Sequence, residues 1–180
     1  MLQTIFYKFP KTYHVGEVTL QKLPNIEDLD SFINLANKFR NIFRKNFLNQ
    51  AYVPYEESNE FFSNLDSDSS RILYAISLHG TWIGHFGARY FKDKNIALDN
   101  ALRFSPIGGK DLFKKINLSL INLIRKNLPE HNILIIVDKK NTSALKLHEE
   151  LNYKECPKEM YEKMSIDSSS CIMKILVHYD

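Results

Sequence analysis

The segment NTSALKLHEELNY (141–153) sets a histidine into an apolar helical stripe. Ala144, Leu147 and Leu151 fall at i, i+3 and i+7 of one helical face, and His148 at i+4 shares it. An imidazole of ordinary pKa, about 6.5, can hydrogen-bond or exchange a proton near neutrality. The competing reading is a satisfied core histidine. Asn141, at the head of the segment, is first of all a helix N-cap. Upstream, SPIGGKD (105–111) is the Gly-rich loop of the chain and opens a long helix. Backbone amides of Gly108, Gly109 and Lys110 can hold a phosphate there, because N–H donors and the helix dipole converge. A tight turn alone would also use the glycines.

Asp99 lies on the strand entering that loop, and alternation sets it on the face opposite Leu98, Asn100 and Leu102. Its carboxylate can serve as a base, directly or through water, or lie on a solvated strand face. His85, within WIGHFGARY, can face a substrate or pack between strands. Arg40 and Asn41 end the first long helix, near Arg44 and Lys45. These are favourable cations at a helix C-terminus, or a substrate site in which Arg40 grips a phosphate or carboxylate with two N–H groups. The histidines at 14, 79, 85, 131, 148 and 178 show no pair at helical ligand spacing, and Cys156 and Cys171 have no metal-ligand spacing. No metal site is expected, and no Ser-His-Asp set can be singled out.

The segments carrying these residues come in a clear order. GEVTLQKL (16–23) alternates as a first strand, and residues 26–46 form an amphipathic helix that opens on acids and ends on bases. Pro54 precedes a second helix over 55–65. Residues 71–78, 81–91 and 95–104 read as an antiparallel meander with a tight His79-Gly80 turn. A helix from 112 to 128 comes after the Gly-rich loop, then a buried strand at 132–138, the 141–153 segment, a short strand near YKEC, a turn at 165–170 and a last strand at 170–179. One α/β domain over residues 1–180 is expected, with a mixed, largely antiparallel sheet, helices on both faces and a parallel crossover at 132–138.

Composition narrows the function classes. The chain has 180 residues, 44% hydrophobic and 25% charged, which suits one globular domain with a real core. A net charge of +3 gives no case for nucleic acid, although a small polyanion remains compatible. The longest aliphatic run, 133–137, cannot cross a membrane, and no segment reads as a signal peptide. The expected compartment is the cytoplasm.

The order of elements, SPIGG at a strand-to-helix turn and N-x-x-A-x-x-L-H-E-x-L-x-Y after a buried strand together resemble the GNAT N-acetyltransferase superfamily. Asn152 stands where the family usually has Gly, a mild change because Asn tolerates the left-handed conformation. FRN (39–41) followed by EESNEFFSNL (56–65) is similar to the branch acetylating amino-sugar nucleotides and protein N-termini, and LDNALR (98–103) leans towards the sugar-nucleotide members. The loop departs from the family pattern: with Gly109 in the last place, Ile107 falls at the first Gly and Phe104 at the basic position, with Arg103 one residue earlier.

The resemblance implies acetyl-CoA as cosubstrate, bound by the loop, with Asn141 on its pantetheine arm. It implies an oxyanion donor among the backbone amides of Ala101, Leu102 and Arg103, and His148 at the place of a tyrosine that protonates or hydrogen-bonds the departing sulfur. The branch likeness favours Arg40 as an acceptor-binding residue, with Asn41 and His85 read beside it; from its strand position Asp99 is the first candidate for the base, ahead of His85. The expected acceptor is a small-molecule primary amine, first of all on a sugar nucleotide. A protein N-terminal amine comes second. A non-catalytic module of the same fold is the third reading, and a homodimer is compatible with all three.

Overall fold

The computed structural model describes residues 5–47, 49–157, 159 and 173–178. The chain opens with a hairpin, β1 (Thr12–Val15) and β2 (Val18–Lys22), turned by Gly16 at φ +62°. Only β2 has the alternation of a patterned strand, burying Val18 and Leu20. β1 is a half-exposed edge held by pairing with β2, so its sequence carries little strand signal.

Helix α1 (Leu29–Ile42) starts at Asp28, whose carboxylate accepts the Ser31 amide, and buries Phe32, Ile33 and Ala36. A 3₁₀ turn at Arg44–Asn46 comes next. Helix α2 (Tyr55–Ser63) begins after Pro54. Strands β3 (Arg71–Leu78), β4 (Thr81–Phe91) and β5 (Asn95–Arg103) form the expected meander. His79 and Gly80 both take positive φ, the geometry a two-residue hairpin requires. Helix α3 (Gly109–Asn127) crosses back to β6 (Asn132–Asp138), which runs parallel to β5. Then come α4 (Thr142–Glu150), β7 (Tyr153–Glu155) and β8 (Met173–His178). The turn expected over 165–170, and Cys171, lie outside the described residues.

The eight described strands form one sheet in the order β1-β2-β3-β4-β5-β6-β8-β7, antiparallel except for β5 against β6. Helices α1 and α2 cover one face, where Phe32 and Phe62 meet Leu73, Ala75 and Leu102. Helices α3 and α4 cover the other, packing Ile116, Leu120 and Leu151 against Ile72, Ile76, Phe86 and Ile133. Each such fully buried aliphatic or aromatic side chain stabilises the fold by roughly 1.5–3 kcal/mol.

Two irregularities open the sheet near its centre. Strand β5 pairs with β6 only from Asn95–Asn132 to Leu98–Ile135. Beyond that point β5 stays with β4 as far as Arg103, while β6 stays with β8 as far as Asp138. The two parallel strands therefore splay apart. At the same level β5 carries a bulge: Gly87 opposes Asp99 and His85 opposes Leu102, so Phe86 faces both Asn100 and Ala101. Asn100 sits at φ +54° to make it. The extra residue breaks the alternation, and Leu102 joins the α1–α2 cluster on the face that Asp99 also uses. The expectation that Asp99 and Leu102 face opposite ways is corrected by that one inserted residue.

Candidate active site

A cleft of about 930 Å³ opens where β5 and β6 part. Residues 98–106 of β5 and its exit form one wall, residues 135–138 of β6 with Asn141, Ala144, Leu147 and His148 form the opposite one, and the end of α1 closes the mouth. Among the described residues, the edge of β5 that faces β6 has no strand partner from Asp99 to Arg103. Its backbone groups are thus open to pair with an extended ligand.

Helix α3 begins at the rim. Gly108 caps it at φ +77°, and a Cβ there would lie 2.1 Å from Leu112 Cδ2, so both conformation and space demand glycine. Gly109 follows at φ +62°. The Gly109 amide bonds Pro106 and the Leu112 amide bonds Gly108, leaving the Lys110 and Asp111 amides between them as helix-start donors. Lys110 lines the cleft, Gly108 and Gly109 the turn behind it. The Lys110 ammonium is engaged by Glu150 of α4, which Lys114 also approaches at 3.6 Å. These contacts tie α3 to α4 across the rim.

On α4, Asn141 caps the helix by accepting the Ala144 amide at 3.1 Å, and its Nδ2 reaches the Asn46 carbonyl at 3.4 Å. The cap thereby joins the two sides of the cleft. His148 is 5% exposed and lines the cleft, its ring edge-on to Tyr153 at 5.2 Å. Its Nδ1 is buried with no hydrogen-bond partner among the described residues. Burial pushes its pKa down to about 4, so the ring is neutral at pH 7. The expectation of an ordinary imidazole near 6.5 is corrected: this ring can donate or accept a hydrogen bond, but it does not store a proton.

Asp99 lies in the wall at the bulge. Its Oδ1 accepts the Asn100 amide at 2.8 Å, and its Oδ2 meets Arg71 at 3.2 Å. Arg71 in turn stacks on Phe61 of α2. Ala101, Leu102 and Arg103 continue the same wall, with Arg103 over the Phe113 ring at 5.2 Å and bonded to the Ser105 carbonyl.

Two of the residues read from sequence as acceptor-binding lie elsewhere. His85 is buried outside the cleft lining, among Phe32, Phe62 and Phe104 at 5.6–6.1 Å. Burial lowers its pKa to about 4 despite a hydrogen bond to the Asn100 backbone, and that bond braces the bulge from behind. Asn41 clasps Val53 on both sides, donating to its carbonyl at 2.8 Å and accepting its amide at 2.9 Å. It fixes the entry to α2. Arg40 does line the cleft: it stacks on Phe47 at 4.2 Å and bonds the Asn49 carbonyl, while its Nη1 is buried without a partner among the described residues.

Sequence reasoning missed the aromatic side of this mouth. Phe43, Phe39 and Phe104 form a stack, with ring separations of 6.1 and 5.6 Å and planes within 23°. Asp138 and Asn117 were missed as well. Asn117 stands between apolar residues and Asp138 ends an apolar run, and only the splay of the strands brings them to a cavity. Among the described residues no group of side chains could hold a metal ion, and no helix is long and apolar enough to cross a membrane.

No family model and no curated protein matches the sequence. Solved structures do. The chain is similar to the Campylobacter jejuni N-acetyltransferase PseH in complex with acetyl coenzyme A, at 16% identity and a TM-score of 0.64 over 89% of this chain and 96% of that one. Spermidine N-acetyltransferase from Vibrio cholerae in complex with CoA and spermine gives 19% and 0.68, covering 90% and 95%. RimL, a ribosomal L7/L12 alpha-N-protein acetyltransferase, gives 9% and 0.71, covering 94% of each chain. At these identities the likeness establishes the fold, which is that of the GNAT acetyltransferases.

Proposed function

We propose that the protein is an N-acetyltransferase that moves acetyl from acetyl-CoA to a primary amine carried by an amino-sugar nucleotide. The observation that carries the reading is the splay of β5 from β6 beside the bulge at Asn100. It opens a strand edge to a pantetheine arm whose two amides can pair along residues 99–103. The same edge runs to the start of α3, where the Lys110 and Asp111 amides suit a pyrophosphate.

Thioester aminolysis then has its parts in one cleft. Of the amides of Ala101, Leu102 and Arg103, one that faces the open edge is a fixed donor for the carbonyl oxygen as it gains charge, a contribution of roughly 3 kcal/mol for one good donor. The amine nitrogen attacks the carbonyl carbon, the C–S bond breaks, and the amine proton passes to Asp99 directly or through water. Arg71 and the Asn100 amide keep that carboxylate oriented. His148, neutral in its apolar seat, supports the departing sulfur by a hydrogen bond. His148 and Asp99 both line the cleft, which weighs against a non-catalytic module.

The acceptor end favours an anion beside a flat ring. Arg40 offers an N–H unpartnered among the described residues and Phe43 an exposed aromatic face, as a diphosphate and its base require. A polyamine fits poorly, since Asp99 and the buried Asp138 are the only acidic residues among the described residues that line the cleft. Exposed Ile42 and Tyr52 support a protein N-terminus as the second acceptor class. Thiol release from acetyl-CoA should be followed with a 4-amino-sugar nucleotide, an N-terminal peptide and spermidine. Turnover with the sugar nucleotide at least tenfold above the other two is expected. Turnover with spermidine alone would overturn the acceptor assignment.

A further inference from the structure

Asn117 is a polar residue that neither the fold nor the chemistry above uses. It sits on the sheet-facing side of α3, 5% exposed, among Ile116, Leu120 and Ile121. Its Oδ1 is buried and has no hydrogen-bond partner among the described residues, yet the residue lines the cleft. A buried acceptor left unpaired costs roughly 1–3 kcal/mol, so a core of this kind has no structural use for it. An isosteric Leu would serve the helix better.

Its position along α3 tells what it can meet. The Phe113 ring lies against Gly84, 3.1 Å from where a Cβ would stand, and beneath Arg103. Asn117 is about one helical turn further on, back along the sheet. That brings it level with Phe86 and the bulge at Asn100 and Ala101, which line the same cleft. Around it the cleft is apolar: Phe86, Leu98 and Ile135. The cleft lining thus combines the apolar Phe86, Leu98 and Ile135 with the unpaired acceptor of Asn117.

We propose that Asn117 reads the acyl group: Oδ1 accepts a hydrogen bond from a hydroxyl on the third carbon of a short acyl chain, and rejects a plain alkyl chain of the same length. This inference rests on the acyl-CoA reading of the cleft. A plain alkyl chain pressed against Oδ1 keeps the acceptor dry and unpaired, whereas a 3-hydroxyl completes it. Sites built around a buried polar partner discriminate strongly against ligands that lack it. Acetyl, which ends before the acceptor, is admitted on either count.

The test needs no amine acceptor. Butyryl-CoA and 3-hydroxybutyryl-CoA are titrated calorimetrically into the wild-type chain, into Asn117→Leu and into Asn117→Ser. Wild type is expected to bind the hydroxylated ligand about tenfold more tightly. Asn117→Leu should reverse the order, and Asn117→Ser should bring the two ligands within about twofold. Each ratio compares two ligands on one preparation, so a partly unfolded variant does not distort it. Binding of both ligands with the same ratio in wild type and both variants would overturn this inference and leave the donor assignment standing. Failure of wild type to bind any acyl-CoA at millimolar concentration would overturn both.

Discussion

The β5 wall of the cleft and the mouth of the cleft are built differently. The β5–α3 wall acts through backbone: an unpaired strand edge, a bulge at Asn100 and a helix start shaped by two left-handed glycines. The mouth at the end of α1 acts through side chains, Arg40 with a stack of phenylalanines. Backbone donors and glycine turns place few demands on the side chains around them, so a fold shared at identities of 9–19% can carry them. A side-chain contact is lost with a single substitution, so the mouth is the part of this cleft most open to change.

Breaking both walls at once should give the largest effect, and pH does so. His85 behind the bulge and His148 in the opposite wall are both buried neutral with pKa values near 4, against about 6.5 unfolded. The unfolded chain therefore binds more protons between pH 6.5 and 4. Their contribution is intact above 6.5 and is lost as pH falls, up to about 3 kcal/mol for each ring. Thermal unfolding should show a Tm flat above pH 7 and falling steadily below 6.5, and His148→Phe should remove about half of that slope. The same depression means that activity should show no inflection near pH 6.5 from His148.

Gly108→Val attacks the backbone wall alone. It forces a β-branched residue to φ +77° against Leu112 and should cost about 3 kcal/mol of stability and most acetyl-CoA affinity, read by denaturant unfolding and titration. Asp99→Asn leaves that wall standing and should lower kcat about a hundredfold with donor affinity unchanged. Arg40→Ala tests the mouth: KM for the acceptor should rise about tenfold while the Kd for acetyl-CoA stays put. Lys114→Ala, which removes the longer of two surface contacts to Glu150, should leave the denaturant midpoint indistinguishable from wild type.

Legibility in the sequence followed the same division. The meander, both crossover elements and the helix behind SPIGG could be read because burial imposes a period on their side chains. β1 could not, since an edge strand held by its neighbour needs no pattern. Asp99, Arg103, Lys110, Asn141 and His148 converge on the cleft as their places in the order of elements suggested. The bulge escaped notice because Asn100 and Ala101 look like ordinary strand residues, and its one-residue insertion set Leu102 on the face that Asp99 uses. His85 and Asn41 carry polar side chains for structural reasons, a braced carbonyl and a clasped loop, which spacing alone cannot tell from binding. Phe39, Phe43 and Asn117 carry no site signal in the sequence, and they line a cleft only because two parallel strands part.

Everything proposed for this cleft hinges on the parting of β5 and β6 receiving acetyl-CoA. The sharpest check is calorimetric titration of the purified chain with acetyl-CoA, with desulfo-CoA as the control for the thioester end. Micromolar binding, abolished by Gly108→Val and unaffected by Arg40→Ala, is the predicted result. No binding of either compound at millimolar concentration would contradict it.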